Sequence, residues 1–178
     1  MSRARSMKLH LRYYGDPILR KRASEVRVFD DELREQAEGM IEAMRYEAGV
    51  GLAAPQVGFE KRLLVALQME TPDDSDVDPI VMINPEIIER SQETWEFEEG
   101  CLSIPGIRGD VTRPAGVTVR YQDVDGKTHT VQAEAMFARV VQHEIDHLDG
   151  KLFIDYLSTA EKTLLKPRLK KIAEKYAS

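Results

Sequence analysis

A second cysteine is what this sequence most plainly lacks. Cys101 stands alone in 178 residues, so no disulfide can form within the chain, and a secreted scaffold built on disulfides is excluded. Long apolar runs are missing too: no segment approaches the roughly 20 apolar residues that cross a bilayer. The basic start, Met1–Arg12, is not followed by the apolar block of a secretory signal, so a cytoplasmic location away from membranes is expected. Net charge is −6, which argues against general nucleic-acid binding over the surface and leaves no expectation of specific DNA binding. Histidine is scarce, with four in the chain.

What remains is the composition of a globular enzyme, 42% hydrophobic and 31% charged. Residues 1–178 read as one domain, long enough to bury roughly two-thirds of the surface its unfolded form exposes. Charge is uneven along it. Residues 158–178 carry Lys162, Lys166, Arg168, Lys170, Lys171 and Lys175 against Glu161 and Glu174, a net +4 that leaves −10 for the rest. Such a tail is either a solvated helix face or a dock for an anionic partner.

Capped by Asp30 or Asp31, a helix is expected to run to about Glu47, with Leu33, Ala37, Met40, Ile41 and Met44 on one face. Arg62–Met69 reads as a buried strand. Glu70–Pro79 places Asp74, Asp76 and Asp78 at alternate positions like the start of a calcium loop, but Pro79 stands where glycine is required, so it reads as a solvated loop. Ile80–Ile83 and Glu86–Arg90 look like strand pieces broken at Asn84-Pro85. Val117–Gln122 and Lys127–Gln132, joined across Asp125-Gly126, predict a hairpin. A helix follows from about Glu134 to Leu148, closed by Asp149-Gly150. Ser158 and Glu161 form a capping box that opens a last helix, which Pro167 is expected to interrupt. Strands and helices do not alternate as βαβ units, so the expected class is α+β: antiparallel or mixed sheets around a central helix, with an N-terminal and a C-terminal helix.

The chemistry is concentrated in Gln142-His143-Glu144-Ile145-Asp146-His147. On a helix, positions i and i+4 lie one above the other, so the imidazoles of His143 and His147 converge on one point. Glu144, beside a ligand but directed differently, is placed to act as general base of a hydrolytic metal site. Two surface histidines on a solvated helix are the plain alternative. A catalytic site of this kind takes a third protein ligand. The extended HExxHxxGxxH motif is matched through Gly150, but Phe153 occupies the last histidine position. Glu161 and Glu174 are downstream candidates, and Cys101, in Glu98-Glu-Gly-Cys-Leu-Ser-Ile-Pro105, is the better upstream one.

Three segments, Gly51-Leu-Ala-Ala-Pro-Gln-Val-Gly58, Glu99-Gly-Cys-Leu-Ser103 and Gln142–His147, stand in the order and at the separations of the signature motifs of peptide deformylases. The similarity extends to Gly15-Asp-Pro-Ile-Leu19, and Leu102 with the compact length resembles the bacterial and organellar type with a helical C-terminus. This resemblance implies one metal ion on Cys101, His143 and His147, usually Fe²⁺, with Zn²⁺, Ni²⁺ or Co²⁺ able to substitute. It implies that Glu144 moves the proton, while the Gln56 amide and the backbone N–H of Leu102 stabilise the oxyanion as formate leaves an N-formylmethionyl nascent peptide. Val50, Gly51, Phe97, Met136, Arg139 through its stem, and Val140 would receive the methionine end, with the Arg139 head snorkelling outward. The C-terminal helix would dock on the ribosome through its lysines, and removing it at about Ser158 would leave turnover of short peptides intact. Read without the resemblance, Gln56 is better taken as serving local backbone, and Met136 and Val140 can equally be ordinary core. A metallopeptidase with a downstream third ligand and a non-catalytic metal-binding or peptide-binding relative are the competing functions.

Overall fold

The computed structural model describes residues 7–74 and 76–177. Half of the basic start (residues 1–6), Ser75 in the acidic loop and the last residue lie outside the described residues. Helix α1 (Asp31–Tyr46) begins where Asp30 accepts the N–H of Leu33 at 3.0 Å. Strands β1 (Gly51–Ala53), β2 (Leu63–Leu67), β3 (Pro79–Arg90), β6 (Gly116–Gln122) and β7 (Thr128–Glu134) make an antiparallel sheet in the order β1-β2-β3-β6-β7. Strands β4 (Thr94–Cys101) and β5 (Ile104–Pro114) form a separate hairpin. Helix α2 (Ala135–Leu148) crosses the large sheet, and helix α3 (Thr159–Tyr176) packs on β5. The α+β architecture expected from the sequence is the one observed.

The alternation along β2 shows why it lacks polar residues. Leu64 and Ala66 face α2 in a cluster with Ala138, Val141, Ile145 and Leu148. Leu63, Val65 and Leu67 face the other way, toward Leu33, Ala37, Met40 and Met44 of α1. A strand covered on both faces is apolar at every position. A third cluster joins Ile104, Ile107 and Val111 of β5 to Leu152, Phe153, Ile154 and Leu157 and to Leu169 and Ile172 of α3.

Two expectations are corrected. Strand β3 is not broken at Asn84-Pro85; it bulges there, with a register shift between Ile83 and Glu86 and a left-handed Asn84 at φ 50°. The Asn84 side chain pairs with both backbone groups of Val26 at 2.8 Å and also donates to Gln122, which holds the strand together where Pro85 has no N–H to give. Nor does Pro167 end α3, which runs through it for 18 residues. The Ser158–Glu161 capping box and the burial of Leu169 and Ile172 offset the roughly 3 kcal/mol an internal proline costs. Elsewhere the acidic loop turns on itself, with Asp74 accepting the N–H groups of Glu70 and Thr71 at 2.9 and 2.8 Å.

Candidate active site

Three elements bring the site together. Helix α2 supplies His143 and His147, the hairpin supplies Cys101 at the end of β4, and the turn after β1 supplies Gln56. The strand β7 runs into α2 without a loop, and Ala135 takes a left-handed φ of 52° to make that corner. The helix thereby presents its histidine face to the hairpin.

The Cys101 Sγ lies 3.4 Å from His147 Nε2, which is 3.3 Å from His143 Nε2. All three donors fall within 4.8 Å of one another. Metal–nitrogen bonds near 2.05 Å and a metal–sulfur bond near 2.3 Å, set tetrahedrally, need donors about 3.3–3.6 Å apart. The spacing and the thiolate–imidazole chemistry therefore fit a transition-metal ion. Among the described residues, this is the group that can hold one. Glu161 is instead engaged in its capping box, and Glu174 lies 3.9 Å from Lys170.

Glu144 is buried beside these donors, and its Oε2 has no hydrogen-bond partner. Burial pushes its carboxyl up to about 7, reinforced by the Glu99 and Asp146 charges against the opposing pull of His143 and Arg113. Gly51 is what admits it: a Cβ at Gly51 would sit 2.7 Å from Glu144 Oε1 and 2.9 Å from Val140 Cγ1.

Gln56 serves local backbone and also faces Cys101. Its Oε1 accepts the N–H of Ala53 at 2.9 Å, which fixes the amide, while Nε2 reaches Ser103 Oγ at 3.1 Å and Cys101 Sγ at 3.4 Å. A cleft of about 830 Å³ opens on the site. Val50, Gly51, Phe97, Met136, Arg139 and Val140 all line it, together with Cys101, Leu102, His143 and Glu144. Gln56 and His147 do not line it and are 1% exposed behind it.

Arg139 departs from expectation. Its head does not snorkel outward but turns in, with 1% of the residue exposed. There it donates to Glu99 Oε2 at 2.5 Å, the Val111 carbonyl at 2.8 Å and the Trp95 carbonyl at 2.7 Å. Glu99 is the residue that sequence reasoning left without a role. Its Oε1 contacts His143 Nδ1 at 2.8 Å and accepts from Arg113 Nη2 at 2.9 Å, and its Oε2 also accepts from Arg113 Nε at 2.6 Å. Burial works against the charge, yet His143 and Arg113 hold the carboxyl well below the usual carboxylate range. Arg113 continues to Asp146 at 2.9 Å, which accepts from the Tyr156 hydroxyl at 2.7 Å. The signal for Glu99 was available: period-two alternation sets Trp95, Phe97, Glu99 and Cys101 on one face of β4. The stacked rings of Tyr13 and Tyr176, 3.6 Å apart on the outer cleft wall, carried no such signal.

A family model described as polypeptide deformylase matches residues 8–163. The chain belongs to the peptide deformylase family. It is 48% identical over 164 residues to a peptide deformylase of Thermotoga neapolitana, covering 92% of this chain and 96% of that one. A peptide deformylase of Plasmodium falciparum superposes with a TM-score of 0.85 at 39% identity, covering 94% of this chain and 96% of that chain. Another, from Acinetobacter baumannii and solved with Met-Ala-Ser bound, gives 0.80 at 37% identity over 86% of this chain and 100% of that one. Peptide deformylases are metal-dependent, in keeping with the Cys101, His143 and His147 cluster. No helix among the described residues is long and apolar enough to cross a membrane.

Proposed function

We propose that this chain hydrolyses the N-formyl group of N-formylmethionyl nascent peptides in the cytoplasm, releasing formate and a free amino terminus. The observation that carries the proposal is the triad of donors within 4.8 Å of one another with the unpartnered carboxyl oxygen of Glu144 beside it, in a chain of this family. Cys101, His143 and His147 would hold the ion, which we take to be Fe²⁺, one per chain. When bound, the ion supplies Lewis acidity that acidifies water and polarises the formyl carbonyl.

The other steps belong to the chain's own residues. Glu144, raised to about 7 and buried, takes a proton from the attacking water and passes it to the departing amine nitrogen as the C–N bond breaks. Water and formamide thus become formic acid and amine, and the acid gives its remaining proton to the amine or to solvent, leaving formate. Gln56 Nε2, held by the bond from Ala53 to its Oε1, donates toward the oxygen on which negative charge develops, together with the N–H of Leu102. Val50, Gly51, Phe97, Met136 and Val140 receive the methionine end.

A metallopeptidase reading loses its support, because the third donor lies upstream in Cys101 and Phe153 is buried in the α3 cluster. The test is anaerobic purification, metal analysis and formate release from formyl-Met-Ala-Ser. We expect one ion per chain, activity abolished by chelation, and activity restored by Fe²⁺, Ni²⁺ or Co²⁺; full activity in metal-free protein would overturn the proposal. For the basic helix we propose a ribosomal dock. Lys162, Lys166, Lys170 and Lys171 are exposed, so their charge is available to phosphates.

A further inference from the structure

Arg139 sits one helical turn before His143 and so shares its face of α2. It lines the cleft, yet its guanidinium is spent elsewhere. It spans three places at once: Glu99 and the Trp95 carbonyl on β4, and the Val111 carbonyl on β5. The Trp95 ring covers it at 4.5 Å. Strand β4 ends in Cys101, and α2 carries His143 and His147, so these bonds tie together the two elements that hold the three metal donors.

Glu99 explains why a second arginine is there. An ionised carboxylate has about four acceptor positions. Arg113 takes one on each oxygen, His143 Nδ1 a second on Oε1, and Arg139 a second on Oε2. The Arg113 fork stops the carboxylate rotating, and Arg139, bonded to Oε2 and to carbonyls of both hairpin strands, fixes where it sits against α2, so Oε1 stays aimed at His143 Nδ1. That bond leaves His143 Nε2 facing His147 Nε2, 3.3 Å away. Burying a second guanidinium for packing alone is a poor use of its desolvation cost, since an apolar side chain of that volume serves as well.

We propose that Arg139 is a positioning residue for the metal centre, acting through Glu99 on His143, and not part of the methionine-binding wall. The inference rests on Cys101, His143 and His147 being the metal ligands, which metal analysis of the parent protein tests on its own. It predicts that loss of Arg139 is felt in how the ion is held, while affinity for peptide is kept.

The test uses the full chain as Arg139→Met, which keeps the volume, and as Arg139→Lys, which keeps the charge but cannot make all three bonds. Each variant is loaded anaerobically with Co²⁺, and two properties are read without substrate: affinity by chelator competition and the d–d absorption spectrum. For Arg139→Met we expect affinity to fall about 10–100-fold with an altered spectrum. Arg139→Lys should fall between that variant and the parent. KM for formyl-Met-Ala-Ser should stay within about threefold while kcat falls, the mark of a perturbed reacting centre. Parent-like Co²⁺ affinity and spectrum in both variants would overturn the proposal, and a raised KM alone would return Arg139 to the substrate wall. Should Arg139→Met fail to fold, Arg139→Lys decides by the same two readouts.

Discussion

Two buried carboxylates flank His143, and the fold treats them in opposite ways. Glu99 and Glu144 are 5% and 4% exposed, so burial does not distinguish them. Glu99 meets four donors and is held ionised well below the usual range. Glu144 keeps an oxygen without a partner, and burial raises it to about 7. The same side chain is thus a fixed anion in one place and, in the function proposed, a proton carrier in the other. Hydrogen-bond supply, not depth, sets the role.

The largest effect expected from breaking this contrast is on Glu144. Glu144→Ala should keep metal and fold while kcat falls by about 10²–10⁴, the usual range of a general acid–base contribution. Loss of the ion instead, seen by metal analysis, would make Glu144 a ligand. Glu99→Gln should act on stability, because Arg113 and Arg139 would be left facing a neutral group. We expect a loss of about 3–5 kcal/mol in denaturant unfolding. A variant as stable as the parent would show that the cluster does not depend on the charge.

Gln56→Ala sharpens the division of labour, since Gln56 carries no charge and still faces Cys101. Removing one oxyanion donor costs about 10²–10³ in kcat, and steady-state kinetics should show kcat falling more than KM rises. A change in KM alone would make it a ground-state contact. The smallest effect on chemistry should come from Lys162, Lys166, Lys170 and Lys171 changed together to Gln. Turnover of formyl-Met-Ala-Ser should stay within about twofold, because none of these side chains lines the cleft. Co-sedimentation with ribosomes at low salt should drop sharply; if it does not, the helix face is merely solvated. Removing α3 at Ser158 is a poorer test than the sequence suggested. It strips Leu169 and Ile172 from the cluster under β5 and Tyr176 from the cleft wall.

The sequence by itself determined whatever depends on short separations. The caps at Asp30 and Ser158, the turn at Asp125-Gly126 and the i, i+4 pair His143 and His147 are local geometry, and they stand where expected. Cys101 was already the better third-ligand candidate over Glu161 and Glu174 from the residues themselves, and motif resemblance added Gln56; the two lie 42 to 91 residues from the histidines. Only the tertiary structure decided how buried charge is partnered. Whether Arg139 points out or in depends on β4 and β5 arriving with Glu99, two free carbonyls and the face of Trp95. The same holds at Asn84 and Pro167, where local breaking signals are overruled by Val26 and by the packing of Leu169 and Ile172. Most helix and turn preferences are worth about 1 kcal/mol per residue or less, an internal proline about 3, while a buried ionic group without its partners costs about 3–5. The second kind of term is set by neighbours that no local stretch of sequence contains.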